Sequence, residues 1–185
     1  MIRLGSFKRF RFIDFLALFI LAVLWSITTY LTDLFLRQNS FIFSLLITAV
    51  LIAIASFFVR KAGSGFLFYT LCSLITLPFS NLWLEGLDKI VAFIAAGIVF
   101  ELAIFIFRIE FSNMHFGVIL GTGLSMSSIP FVILMLAKTV EGIAFYASNL
   151  AIISFAIGIM GSIIGFLVWL SIKGSRWVIK FEYAV

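Results

Sequence analysis

The stretch QNSFIFSLLITAVLIAIASFFVRKAGSG, residues 38–65, carries the pattern that decides the fold. Residues 38–59 hold no charged side chain, and the next two residues are Arg60 and Lys61. About 20 apolar residues in a helix cross the hydrocarbon core of a bilayer, and basic residues concentrate at the cytoplasmic ends of such helices. This stretch therefore predicts a transmembrane helix that ends at the cytoplasmic face.

The rest of the 185-residue chain repeats this pattern of long apolar runs. Only 11% of the residues are charged and 64% are hydrophobic, whereas about 25% of residues are charged in a soluble domain. The runs predict an all-α integral membrane protein, a compact bundle of six transmembrane helices in one domain, with the N and C termini cytoplasmic. The predicted spans are residues 12–33, 41–59, 65–82, 89–107, 115–137 and 147–172.

The basic residues indicate the orientation of this bundle. With a cytoplasmic N-terminus, ten of the 13 Lys and Arg residues fall on the inner side, and only Arg37, Lys89 and Lys138 fall outside. This asymmetry follows the positive-inside rule, so we attribute the net charge of +5 to membrane orientation. We expect a multi-pass protein of the cell (plasma) membrane that lies in the lipid bilayer. We do not expect nucleic acid among its partners.

The motifs of several enzyme classes are missing from the sequence. The single Cys72 and single His115 exclude an intrachain disulfide and a histidine-rich metal site. The sequence also has no GxxxxGK[ST], HExxH or GxSxG motif. We therefore predict no catalytic residue, no metal and no cofactor, and we do not expect an enzyme.

Small residues recur at helical spacing in the sixth predicted span. Helices in lipid approach each other closely where small residues share a face. Such a face serves either as a packing seam inside the bundle or as a docking surface for another membrane subunit, and the spacing alone fits both. The residues concerned are Gly158, Gly161 and Gly165.

Glu101 is the most unusual residue, because it places a carboxylate inside the fourth span, on the same helix face as the Arg108 that closes it. Such a group costs roughly 2.5 to 3.5 kcal/mol on insertion scales. One interpretation is a polar contact that transmits substrate occupancy or binds a coupling subunit. The other is a structural hydrogen bond to a hydroxyl group, for instance of Tyr69 or Ser73.

Aromatic and polar residues gather towards the predicted outer ends of the spans. An aromatic girdle at the level of the lipid headgroups accounts for Trp and Tyr there. A small planar or cationic ligand would use the same residue types through stacking and hydrogen bonds. The candidate substrate-binding residues are Trp25, Tyr30, Asn81, Trp83, Glu85, Tyr146 and Asn149.

Two segments resemble a known family. Residues 57–86, FFVRKAGSGFLFYTLCSLITLPFSNLWLEG, combine a basic pair, a glycine-rich helix start, an apolar helix and a short outer loop. Residues 95–108, AAGIVFELAIFIFR, place glycine, an acidic residue and a terminal arginine in order. Both are similar to the S components of energy-coupling factor (ECF) vitamin transporters, most of all to the hydroxymethylpyrimidine/thiamine group.

The resemblance implies a substrate-capture subunit of an ECF-type ABC importer for a vitamin or vitamin precursor, such as thiamine or hydroxymethylpyrimidine. It also implies a transmembrane coupling protein and two ATPase subunits supplied by other chains. Many S components contact the coupling protein through AxxxA in the first helix, whereas Ala22 and Ser26 give AxxxS here. The alternative is a small accessory subunit of a larger membrane complex, with no substrate of its own.

Overall fold

The computed structural model describes residues 10–36, 40–79, 86–107, 110–111, 114–136 and 143–175. These ranges contain six helices and one short antiparallel pairing of Glu110–Phe111 with Met114–His115. The all-helical prediction is confirmed for this part of the chain. The helices are α1 (Phe12–Leu36), α2 (Ser40–Val59), α3 (Ser64–Ile75), α4 (Gly86–Ile106), α5 (Phe116–Leu136) and α6 (Ile143–Ile172).

All helices except α3 are long and apolar enough to cross a membrane, so the chain is a membrane protein with several spanning segments. The third predicted span, residues 65–82, is where the structure differs from the prediction. Helix α3 has 12 residues, which corresponds to a length of about 18 Å. The physical reason is Pro78, which disfavours helical geometry at the residue before it and ends the helix early.

The helices form a closed ring in which neighbours in space follow the order α1, α2, α6, α5, α4, α3 and back to α1. Helix α2 also touches α3 and α5 and is the most buried of the long helices. Its sequence has no charged residue and is mostly apolar, which fits this place, because a helix that is apolar on most sides is stable where apolar groups surround it.

One end of the ring collects the described basic residues other than Lys89. The Asp14 carboxylate at the start of α1 pairs with the Lys61 ammonium just before α3. Arg60 stacks on Trp169 near the end of α6, with 5.7 Å between the guanidinium carbon and the ring centroid. We call this end, marked by Arg60 and Lys61, the basic end.

Helix α6 packs into the bundle through its glycines. A Cβ atom built on Gly158 would lie 2.7 Å from the Gly123 Cα of α5, and one on Gly165 would lie 2.7 Å from the Val50 carbonyl oxygen of α2. A Cβ on Gly161 would lie 2.5 Å from the Ala49 Cβ, also in α2. The glycine face is therefore a packing seam within the chain, the first of the two interpretations of its spacing.

Candidate functional site

A line of polar side chains runs between α1 and α2, away from the basic end. Helix α1 contributes Trp25, Thr29 and Asp33, and α2 contributes Ser40, Ser44 and Thr48. Within each helix these residues are four positions apart, so they share one helix face. Trp25 Nε1 donates a hydrogen bond to Thr48 Oγ1 over 2.7 Å, and Ser40 donates one to Asp33. These two bonds set an antiparallel register that places Thr29 opposite Ser44. We call Trp25, Thr29, Asp33, Ser40, Ser44 and Thr48 the polar seam.

Two atoms of the polar seam lack a hydrogen-bond partner among the described residues. They are the buried Oδ2 of Asp33 and the buried Oγ of Ser44. The other hydroxyl groups are satisfied, since Thr29 donates to the Trp25 carbonyl and Thr48 to the Ser44 carbonyl. A buried polar atom without a partner costs about 1 to 3 kcal/mol. Two such atoms in the same seam, one on each helix, therefore call for an explanation.

Lys89 lies beside the polar seam and is fully buried. Its ammonium group donates to the Thr76 carbonyl oxygen over 2.8 Å and to the carbonyl of Phe79. A cation at this position stabilises the end of α3 through the helix dipole. Sequence reasoning assigned Lys89 to an outer loop and missed this role. The available signal was Pro78, since a helix that ends early leaves carbonyl groups for a cation.

Replacing Thr48 by valine is expected to lower the free energy of unfolding by about 2 kcal/mol. Valine has nearly the same shape but leaves the N–H of the buried Trp25 without an acceptor. Thermal unfolding in detergent measures the effect. The matched control is Thr70→Val, because the Thr70 hydroxyl donates to the Phe66 carbonyl of its own helix. Equal effects of the two substitutions would contradict the structural role of the Trp25 bond.

The structure places the sequence-predicted binding residues in different environments. Trp25 lies at the middle of α1 rather than near its outer end, and its ring meets the edge of Phe93 in the core at 5.3 Å. Tyr30 is 52% exposed, and Asn149 is exposed on α6. Of the candidates whose side chains are described, only Trp25 belongs to the polar seam. Asn81, Trp83 and Glu85 lie outside the described residues, as does the side chain of Tyr146.

Glu101 binds the start of α3 near the basic end. Its Oε2 accepts a hydrogen bond from the Gly63 N–H over 2.9 Å, and its Oε1 accepts one from the Gly65 N–H over 2.8 Å. The first N–H groups of a helix have no partner within the helix, and a carboxylate there also complements the helix dipole. Glu101 therefore caps α3 from α4, and we call this contact the Glu101 cap.

The expected hydroxyl partners of Glu101 are engaged elsewhere, which corrects that interpretation. Tyr69 Oη pairs with Ser125 Oγ over 2.8 Å, and Ser73 Oγ donates to the Thr70 carbonyl. Glycine makes the backbone contact possible, because a Cβ on Gly65 would lie 2.2 Å from the Phe100 ring. Arg108, which the sequence places on the same helix face as Glu101, lies outside the described residues.

The first-helix pair expected at a docking surface points largely inward. Ala22 is fully buried in the core. Ser26 is partly buried, and its hydroxyl donates to the Ala22 carbonyl over 2.8 Å. A contact with another subunit through this pair would therefore involve Ser26 rather than Ala22.

Comparisons with known proteins identify no relative of this chain. No protein-family model matches the chain, and neither a curated protein nor a solved structure matches it. The functional interpretation therefore rests on the residues themselves. The polar seam and the Glu101 cap are the two arrangements of the described residues that it has to explain.

Proposed function

We propose that this chain is the substrate-capture membrane subunit of an ECF-type importer for a vitamin or vitamin precursor. The observation that carries the proposal is the polar seam, with its two unpartnered buried atoms on Asp33 and Ser44. By the positive-inside rule the basic end faces the cytoplasm. The Asp33 end of the polar seam then lies towards the outer face, where a capture subunit meets its substrate.

The chemistry of the polar seam favours binding over a purely structural role. Ionisable residues within membrane spans mark the paths and sites of substrates and ions, and the polar seam brings Asp33 close to Lys89. A helix pair that only packs would be more stable with apolar residues at Asp33 and Ser44, because their unpartnered atoms would be removed. A ligand that hydrogen-bonds to these atoms accounts for their presence.

Helix α4 connects the polar seam to the basic end. Lys89 near its start binds carbonyl groups at the end of α3, while Glu101 near its end binds N–H groups at the start of α3. Because α4 holds both ends of α3, we infer that the two helices move together. A change at Lys89 would then reach the Glu101 cap, at the face where a coupling protein binds.

Ligand binding is expected to stabilise the purified chain. A ligand at 100 times its Kd adds about 2.7 kcal/mol, which raises the Tm of a protein of this size by about 5 to 10 °C. Thermal unfolding in detergent with a panel of vitamins and their precursors measures this shift. Under the proposal one compound produces it, and Asp33→Asn reduces it. A Tm that no compound changes would contradict substrate capture.

A second candidate, the accessory subunit, is favoured by one surface. Helix α1 is the least buried of the long helices, and large apolar side chains such as Phe19, Ile20 and Ile27 are exposed along it. Lipid or a larger membrane subunit would cover this face. The accessory role predicts a stable complex with such subunits, no ligand-dependent shift of Tm, and no effect of Asp33→Asn on assembly.

A further inference from the structure

We propose that Asp33 Oδ2 and Ser44 Oγ form a subsite that binds the N–H group of a small, neutral, polar molecule. This inference rests on the proposed function and adds the chemical class of the substrate to it. Both atoms are buried and lack a partner among the described residues. Asp33 is only partly buried as a residue, so its end of the polar seam lies nearer to the surface than the fully buried Ser44.

The hydrogen-bonding capacity that remains in the polar seam selects a donor. An ionised carboxylate only accepts hydrogen bonds, so Asp33 Oδ2 requires a donor from the ligand. The Trp25 N–H and the Thr29 and Thr48 hydroxyl protons are already committed to acceptors in the seam. Among the seam hydroxyl groups, that of Ser44 alone keeps an uncommitted proton, so it can donate as well as accept.

The spacing of the two atoms fits one small molecule. Asp33 is bonded to Ser40, and Ser44 follows one helical turn later, about 6 Å further along the axis of α2. A planar ring or amide can bridge two protein atoms at this separation, because each hydrogen bond adds about 2.9 Å to its own span. The surrounding seam residues, Thr29 and the fully buried Trp25, limit the space to a compact molecule.

The local charge favours a neutral ligand. The Lys89 ammonium lies close enough to Asp33 to interact favourably with its negative charge, so the site has a charge of each sign nearby. A cationic ligand would meet the Lys89 ammonium, and an anionic ligand would meet the Asp33 carboxylate. A neutral molecule with an amide or amino N–H avoids both repulsions.

A matched pair of probes tests this subsite. Benzamide is neutral and carries amide N–H groups, whereas N,N-dimethylbenzamide lacks them. We expect ligand-observed NMR on the purified full-length chain in detergent to give an affinity for benzamide at least about tenfold higher than for the dimethyl analogue, since a hydrogen bond to a charged group is lost. Ser44→Ala and Asp33→Asn should each weaken benzamide binding by a similar factor.

Ser154→Ala is the matched control, because Ser154 Oγ is also buried without a partner but lies on α6, outside the polar seam. It should leave benzamide binding unchanged. If Asp33→Asn does not fold, Ser44→Ala carries the test. Equal binding of both probes, benzamide binding that Ser44→Ala leaves intact, or no benzamide binding at all would overturn the subsite.

Failure of this subsite can be told apart from failure of the proposed function. Isolation of the chain with a coupling protein and two ATPases does not depend on benzamide. If those partners are found and the probes do not discriminate, the N–H subsite is wrong and substrate capture stands. If neither the partners nor probe discrimination is found, both proposals fail.

Discussion

Replacing Gly158 by alanine is expected to lower the free energy of unfolding by about 3 kcal/mol, at the upper end of the usual cost of overpacking. The added methyl group would lie 2.7 Å from the Gly123 Cα and 2.8 Å from the Thr122 carbonyl oxygen. Both contacts are with the backbone of α5, so no side-chain rotation relieves them. Thermal unfolding in detergent should show a Tm about 6 to 12 °C lower.

The control for this prediction is Gly174→Ala. A Cβ on Gly174 meets no atom within 4 Å, and the backbone of this residue does not require glycine. The substitution should leave Tm unchanged. If Gly158→Ala were equally harmless, α6 would not pack on α5 as described, and its glycine face would again be available to another subunit.

The second large effect is expected at Glu101. Glu101→Ala removes the acceptor of the Gly63 and Gly65 N–H groups, each bound by a charge-assisted hydrogen bond. We expect the free energy of unfolding to fall by about 3 kcal/mol, since such bonds contribute about 1.5 to 3 kcal/mol each. Glu101→Gln keeps one carbonyl acceptor and should cost about half as much, leaving a folded chain.

The function of the Glu101 cap is tested with the same variants. If α3 and α4 transmit substrate occupancy, Glu101→Gln should support less substrate uptake in cells at an unchanged amount of folded protein. Asp88→Asn is the control, because Asp88 is an exposed carboxylate in the first turn of α4. It should affect neither stability nor uptake. Normal uptake with Glu101→Gln would restrict Glu101 to a structural role.

The long helices follow from the sequence because membrane insertion depends on local composition. An uncharged run of about 20 residues is decided by its own apolar content, and α2 begins one residue before its predicted span and ends with it. The length of α3 depended instead on Pro78 and on a lysine 13 positions after Thr76. The apolar run alone therefore overestimates the length of α3.

The candidate site was less predictable because its parts come from different helices. The spacing of Trp25, Thr29 and Asp33 by four residues is visible in the sequence, as is that of Ser40, Ser44 and Thr48. Their meeting depends on the antiparallel register of α1 and α2. The Glu101 cap involves backbone N–H groups, which almost every residue type carries and which a sequence therefore does not single out. The sequence-based prediction considered side-chain hydroxyl groups instead.

Trp25 illustrates a further limit of sequence reasoning. Tryptophan is enriched at membrane interfaces, and this favoured a place near the outer end of the first span. The structure gives the indole N–H a buried acceptor in Thr48. A paired N–H allows tryptophan in the core of a bundle, so depth in the membrane depended on a partner in another helix.

The central claim, that the chain is a substrate-capture subunit, is tested most directly by its isolation from native membranes. The tagged chain is purified in mild detergent, and the proteins that remain bound in stoichiometric amounts are identified by mass spectrometry. The proposal predicts one transmembrane coupling protein and two ATPases with P-loops. A stoichiometric set of other membrane subunits without ATPases would contradict it and support the accessory role.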